Sequence, residues 1–476
     1  MTHDLLGSAA SPPTSRGDVA ERVRVQALDT SSLGDRSYLV CAGAVAAVID
    51  PQRDIDRVLD LADDLGVRIT HVLETHLHND YVSGGLDLAR RTGAAYAVNA
   101  ADTVNFDRRP VSDDDVIQVG ERLALRALHT PGHTPTHLSY VAEEGSRAVA
   151  VFTGGSLLYG ATGRTDLVDP TRTEELARAQ YRSVRTLAAG LADGVQVYPT
   201  HGFGSFCSVT PGSGTSSTIG GERTANPALT LDEDVFVRQL VAGLGAYPAY
   251  YTHMAPLNAA GPAPFDLTTP PYAVDAAELR QRLAAGEWVV DLRTRRAFAS
   301  DHVQGTLSFP LERAFVTYLG WLLPWNSALT LLGETPEQVA AAQRELARIG
   351  VDRLAGAATG SPAQWAGDTP RRGYRMLDFA ALQQRRVAGG GVVVLDVRRD
   401  EEWRAGHLDG AVHIPLHELP HRLPEVPPGE VWAHCAAGYR AAVAASLLDA
   451  AGRDVVAVDD AFDNAAQAGL PVTPSV

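Results

Sequence analysis

One stretch of this chain occurs twice. Val289-Val290-Asp291-Leu292-Arg293 is matched by Val394-Leu395-Asp396-Val397-Arg398, and the correspondence continues without a gap. Phe298 answers to Trp403, His302 to His407, Gly305 to Gly410 and Pro310-Leu311 to Pro415-Leu416, always at an offset of 105 residues. That offset is one domain's length and too long for a solenoid period, so the C-terminal half must hold two copies of one α/β unit. They are expected over 272–360 and 374–476, with Pro-, Gly- and Ala-rich linkers at 256–271 and 361–373. A chain of 476 residues has room for roughly three domains. Residues 21–255 would form the remaining one, and 1–20, rich in Ser, Pro, Thr and Gly, reads as a disordered tail.

The copies differ where chemistry is at stake. The second carries His434-Cys435-Ala436-Ala437-Gly438-Tyr439-Arg440 between an apolar run ending at Trp432 and an Ala-rich helical pattern. A cysteine on a strand-to-helix turn meets backbone N–H groups and a helix dipole that favour an anion, so its thiolate is accessible. Gly438 lets the loop curl, and Arg440 adds a fixed positive charge. Cys-dependent phosphatases use Cys-x5-Arg, a ring wide enough for phosphate, and one residue fewer suits a single sulfur atom. The segment resembles the active loop of a rhodanese. That resemblance implies a sulfurtransferase in which Cys435 carries sulfane sulfur, cradled by Ala436, Ala437, Gly438, Tyr439 and Arg440. The Asp-x-Arg strand end, the following helix, His-x-x-Gly and Pro are also similar to the first half of that family's domain. No cysteine lies between 207 and 435, so the first copy cannot carry a persulfide. It reads as a docking or spacing module.

Residues 21–255 alternate apolar strands with amphipathic helices. An apolar strand over His71–Glu74 runs into Thr75-His76-Leu77-His78-Asn79-Asp80-Tyr81, where two histidines and an aspartate can converge from one loop. His133, in Pro131-Gly132-His133-Thr134-Pro135, and His201, in Pro199-Thr200-His201-Gly202, lie in similar turns. These residues resemble the metallo-β-lactamase superfamily, and Phe152-Thr153-Gly154-Gly155-Ser156-Leu157-Leu158 with Gly163-Arg164-Thr165-Asp166 is most like its persulfide dioxygenase branch. The fold implied is an α/β multidomain chain: an N-terminal αββα sandwich, then two rhodanese-like domains with parallel sheets. In that branch Fe(II) is held by two His and one Asp. The matching histidines here are His76 and His133, but Gly155 stands where the carboxylate should, and Tyr81 replaces the usual His. What remains is His76, His78 and His133, with Asp80 and His201 nearby. Such a set can bind Fe(II), or Zn(II), with open positions for water or substrate. Asp80 could swing in for the missing carboxylate. Arg164 has two readings, contact with the thiol substrate or an ion pair with Asp166. Cys207 also has two, a thiol at the substrate mouth or a packed side chain.

Charge and composition exclude several classes. A net charge of −16 disfavours nucleic acid and anionic membranes as partners. The 41 basic residues are all arginine, which excludes a lysine Schiff base. Three cysteines (Cys41, Cys207, Cys435) make no disulfide framework, and nothing resembles a signal peptide or membrane span, so a cytoplasmic enzyme is expected. The resemblances imply small thiols and persulfides, thiosulfate or sulfite as partners, and are compatible with a homo-oligomer. A thioester hydrolase of the glyoxalase II type, or a metal-free scaffold carrying one working rhodanese, are the alternatives.

Overall fold

A computed structural model describes residues 22–208, 214–389 and 391–473; the expected tail at 1–20 lies outside them. The N-terminal region pairs two six-stranded sheets. One runs in the order Arg24–Thr30, Asp35–Ala42, Val45–Ile49, Arg68–Leu73, Ala95–Asn99 and Arg109–Val111. The other is ordered Ser217–Thr218, Gln196–Pro199, Arg147–Gly154, Leu138–Glu144, Leu123–His129 and Val116–Gln118. Period-2 alternation decides which residue faces which layer. On the strand Asp35–Ala42, Tyr38, Val40 and Ala42 point between the sheets to meet Leu123, Tyr140 and Phe152. Leu39 and Cys41 point outward under Ile55 and under Val58, Ala62 and Leu88 of the outer helices Asp56–Leu65 and Gly85–Thr92. Helix Thr173–Gly190 covers the second sheet through Ala177, Val184 and Leu187. The result is an αββα sandwich, with Cys41 in the core as its apolar neighbours require.

The repeat is visible in the C-terminal sheets. The first is parallel in the order Leu307–Ser308, Trp288–Asp291, Leu329–Gly333, Leu354–Thr359. The second has Val412–His413, Val392–Asp396, Glu430–His434 and Val455–Val458 in the same order, then Arg375–Leu377. Each Asp-x-Arg forms the same buried clamp. Asp291 takes Arg293 at 2.6 Å and Asp396 takes Arg398 at 2.6 Å, and each arginine then ties off a carbonyl eight residues on, of Asp301 or Gly406.

The two expected linkers are partly structured. Helix Tyr251–Ala260 runs through Pro256. An interior proline costs about 3 kcal/mol, which the contacts of Asn258 offset: its amide donates to the carbonyls of His78 and Tyr81 and accepts from Ser83 N–H, at about 1 kcal/mol each. Between 361 and 373, Pro362 starts a helix, Pro362–Ala366, under a Ser361–Gln364 capping box. Arg371–Arg372 then pairs with His302–Val303. Composition marked proline as punctuation, whereas here it serves as a first helical residue.

The cysteine-less unit touches both neighbours. Toward the N-terminal sandwich, Arg348 pairs with Asp54 at 2.6 Å, Arg344 with Asp56 at 2.7 Å and Arg53 with Asp352 at 2.6 Å. Toward the last unit, Arg295 pairs with Asp459 at 2.7 Å and His302 with Asp449 at 3.1 Å. Among the described residues no helix is long and apolar enough to cross a membrane.

Candidate functional site

Strand ends at one edge of the sandwich bring His76, His78, His133 and His201 together, all fully or almost fully buried. The rings of His76, His133 and His201 have centroids 4.8–5.3 Å apart. Hydrogen bonds fix which nitrogen of each faces inward. The Thr75 hydroxyl donates to Asp50 at 2.8 Å, so its oxygen accepts from His76 Nδ1 at 2.9 Å and His76 Nε2 is left as a lone pair. His133 Nδ1 lies 2.8 Å from the Arg164 carbonyl, which can only accept, and Nε2 has no partner. His201 Nδ1 faces Asp35 at 2.9 Å and Asp80 at 3.2 Å, and its Nε2 sits 3.3 Å from His76 Nε2. Two imidazole nitrogens that close need a proton or a cation between them. Ligands at 2.0–2.1 Å in a tetrahedron stand about 3.4 Å apart. His201 shares sets of donor atoms within 4.8 Å of one another with His76 and His78 and with His133 and Cys207, so these residues could hold a metal ion.

Electrostatics agree with neutral ligands backed by carboxylates. Burial first, then His201, pushes His133 down to about 3, so its imidazole is unprotonated at neutral pH. Burial and then Asp80 raise Asp35 to about 8. Burial opposes the charge on Asp80, but His201 outweighs it and draws this carboxyl down. Asp80 is thus the ionised partner.

Several expected ligands sit differently. Asp80 was a candidate to take the missing carboxylate's place, but it stands on the Nδ1 side of His201, away from His76, because His201 and Ser205 hold it there. His78 turns Nε2 toward Tyr81 at 2.9 Å, Glu74 at 3.2 Å and Asp50 at 3.3 Å. Burial would lower its pKa, yet Asp50 and Glu74 raise it to about 9; its Nδ1 remains without a partner, and His78 still offers a donor within 4.8 Å of those of His76 and His201, which keeps it a candidate ligand. Of the two readings of Arg164, the structure gives the ion pair. Its guanidinium binds Asp166 at 2.6 and 2.7 Å and the carbonyls of Phe206 and Gly245. Cys207 is fully buried, and burial followed by Asp80 and Asp35 pushes its thiol up.

Sequence reading missed Asp35, Asp50, Glu74 and His137. Asp50, at φ 53°, holds a sparsely allowed conformation. Its side chain anchors the His76 loop through Thr75 N–H at 2.7 Å and also accepts from Thr200. The signal was an aspartate closing an apolar strand, Ala47-Val48-Ile49-Asp50. His137 follows His133 by four residues, but its Nε2 accepts Gly155 N–H at 3.1 Å, which removes it from the ligand set.

Gly155 is more than a missing ligand. A Cβ there would lie 2.1 Å from His133 Cδ2, and one at Gly163 would lie 2.7 Å from His133 Nδ1. The His133 ring occupies a slot between two glycines. A Gly155→Asp variant is therefore expected to displace His133 and to lose about 1–3 kcal/mol of stability or more through overpacking. Urea denaturation and metal content measured together check this; full stability with raised metal content would contradict it.

The Cys435 loop lies at the far end of the chain. Strand Glu430–His434 delivers Cys435, and helix Tyr439–Ala450 leaves it. Gly438 adopts φ 90°, a region that favours glycine, and a Cβ there would meet Asp459 Oδ1 at 2.5 Å. Its N–H donates to Cys435 Sγ at 3.2 Å. Cys435 is 2% exposed, while Ala436 is half-buried and Ala437 exposed, so the loop opens to solvent there. Tyr439 is buried and donates to the Pro310 carbonyl of the first unit at 3.2 Å.

Arg440 does not offer a free positive charge to the loop. It pairs with both oxygens of Glu402 at 2.6 and 2.7 Å, a bidentate bond that neutralises it. Burial opposes ionisation of Glu402, but Arg440 more than compensates and holds it at about 2, against an ordinary 4.5. The sign follows: this pair stabilises the fold fully above pH 4.5 and its contribution is lost as pH falls through about 2. Glu402→Gln is expected to cost about 3 kcal/mol near neutral pH, since it leaves Arg440 buried and unpaired. The difference from wild type should shrink in acid, read by denaturant melts across pH; a pH-independent difference would contradict it.

Both regions resemble known proteins. Residues 35–201 match the Metallo-beta-lactamase superfamily and residues 379–468 match the Rhodanese-like domain. Human mitochondrial persulfide dioxygenase ETHE1 is 33% identical over 211 residues, 44% of this chain and 74% of that protein. The hydroxyacylglutathione hydrolase GloC of Haemophilus influenzae is 29% identical over 208 residues, 39% of this chain and 87% of that one. A crystal structure of a metallo-beta-lactamase from Staphylococcus aureus superposes with a TM-score of 0.65 and 28% identity, covering 71% of this chain and 99% of that one. The chain belongs to the metallo-beta-lactamase superfamily, with persulfide dioxygenase ETHE1 among its homologues, and carries a C-terminal rhodanese-like domain.

Proposed function

We propose that this protein is a sulfur-metabolism enzyme: a rhodanese-type sulfurtransferase working through a Cys435 persulfide, joined to a metal domain that acts on low-molecular-weight thiol persulfides. The Gly438 N–H aimed at Cys435 Sγ is the observation that carries it. Cys435 thiolate attacks the outer sulfur of thiosulfate, the S–S bond breaks, and sulfite leaves with the bonding pair. An acceptor thiolate then takes the sulfane sulfur, and Cys435 returns as thiolate. The helix N-terminus and the loop N–H groups stabilise the anion at both steps. Both nearby guanidiniums are ion-paired, Arg440 with Glu402 and Arg295 of the cysteine-less unit with Asp459; Arg295 Nε lies 3.4 Å from where a Gly438 Cβ would stand.

In the sandwich, the buried histidines His76, His78, His133 and His201 would hold the metal. Fe(II) bound there would supply O2 chemistry, by which a persulfide, O2 and water become a thiol and sulfite. Asp35 and Asp80 hold His201 in the ligating tautomer, and the Arg164 carbonyl does the same for His133. Sulfite and persulfide sulfur combine to thiosulfate, so the two reactions share intermediates, and tethering raises their local concentration to roughly millimolar.

A second reading has Zn(II) at this position and thioester hydrolysis by bound hydroxide. It is favoured by the all-imidazole inner set and by the GloC resemblance. Metal analysis of the purified protein with O2 uptake on glutathione persulfide separates them. Stoichiometric iron and persulfide-dependent uptake are expected. Zinc with thioesterase activity would replace the oxygenase reading, and no bound metal would leave only the rhodanese.

A further inference from the structure

We infer that Cys207 is a ligand of the metal at His133 and His201, supplying the anionic donor that Gly155 cannot. The inference rests on the metal reading above and adds a member to its ligand set. Cys207 Sγ and a ring nitrogen of both His133 and His201 lie within 4.8 Å of one another, all three residues fully buried. His133 Nε2 is a buried lone pair with no partner. The side of the ring facing Gly155 is closed, since the imidazole itself fills the space a side chain there would take. The remaining donor must therefore come from elsewhere, and the 202–207 loop brings one.

That loop is built into the site by a single residue. Arg164 N–H donates to the Cys207 carbonyl at 2.8 Å, and the Arg164 carbonyl accepts from His133 Nδ1 at 2.8 Å. One peptide unit on each side of Arg164 thus fixes Cys207 and His133 relative to each other. The Arg164 guanidinium adds a bond to the Phe206 carbonyl at 3.2 Å, and Ser205 Oγ bridges Cys207 N–H and Asp80. Gly163 and Ser208 close the arrangement with a β-bridge. Arg164 is a positioning residue here.

Charge balances without redox chemistry. The Cys207 S–H bond gives up its proton to solvent as the sulfur–metal bond forms. A divalent cation is then neutralised by the Cys207 thiolate and the Asp80 carboxylate behind His201. A neutral imidazole set alone would leave the buried cation with only one carboxylate's charge against it, a costly arrangement.

Co(II) added to metal-depleted full-length protein reads the donor directly, because thiolate bound to Co(II) gives intense near-ultraviolet charge-transfer absorption and imidazole does not. The band is expected in wild type, Cys41→Ala and Cys435→Ser, and is expected to vanish in Cys207→Ser while Co(II) still binds through imidazoles about 10–100-fold more weakly. Zinc-loaded Cys41→Ala/Cys435→Ser protein, in which Cys207 is the one cysteine left, should show a sulfur scatterer at about 2.3 Å by X-ray absorption; this needs no change at Cys207. Co(II) binding without the band, a band that survives Cys207→Ser, or zinc with only nitrogen and oxygen neighbours would overturn the Cys207 assignment and leave the imidazole site standing. Failure of wild type to bind either ion would overturn both.

Discussion

Cys435→Ser should reduce thiosulfate:thiol sulfur transfer by about a thousandfold or more, to the background of the assay. The loss follows from the step itself: a serine hydroxyl is a poor nucleophile toward sulfur and cannot form a persulfide. The fold should survive, because Sγ has one hydrogen bond, from Gly438 N–H, which an oxygen can also accept. Neither Cys41, in the sandwich core, nor Cys207, beside His133 and His201, can substitute. Steady-state transfer assays on wild type, Cys435→Ser and Cys41→Ala decide the matter. Retained transfer in Cys435→Ser would remove the rhodanese assignment of this site.

His133→Ala should lower metal affinity by more than about 100-fold, beyond the range typical for an outer partner, and abolish any metal-dependent turnover. His133 contributes a buried Nε2 with no partner, and its ring fills the slot between Gly155 and Gly163. Transfer through Cys435 should be unchanged, since that loop sits on a separate sheet. Equilibrium dialysis with Fe(II) or Zn(II) gives the first quantity and the thiosulfate assay the second. Wild-type affinity in His133→Ala would place the metal elsewhere.

Much of this was legible in the sequence because it rests on local pattern. Apolar strands alternating with amphipathic helices over 21–255, with the superfamily resemblance, point to the sandwich, the 105-residue offset to twin α/β units, and Cys435 and Gly438 to a strand-to-helix loop. The misjudged residues are those whose partners are remote in sequence. Arg440 reads as a free cation until Glu402, thirty-eight residues earlier, is found against it. Asp80 reads as a ligand until Asp35 and His201 show which side of the ring it occupies. Gly155 reads as a deletion, whereas the His133 ring fills the space. Prolines 256 and 362 read as linkers because composition carries no information about Asn258 or the Ser361 cap.

The cysteine-less unit, read from the sequence as a docking or spacing module, has ion pairs on both sides. Its arginines hold the sandwich through Asp54 and Asp56 and reach the Cys435 loop through Asp459. It thus contacts both the sandwich and the unit that carries Cys435.

The most direct test is mass spectrometry of the protein's cysteine peptides after brief exposure to thiosulfate and alkylation. One added sulfur on the peptide containing Cys435, removed by an acceptor thiol, is the predicted result. Sulfur on Cys41 or Cys207 instead, or on no cysteine, would contradict it.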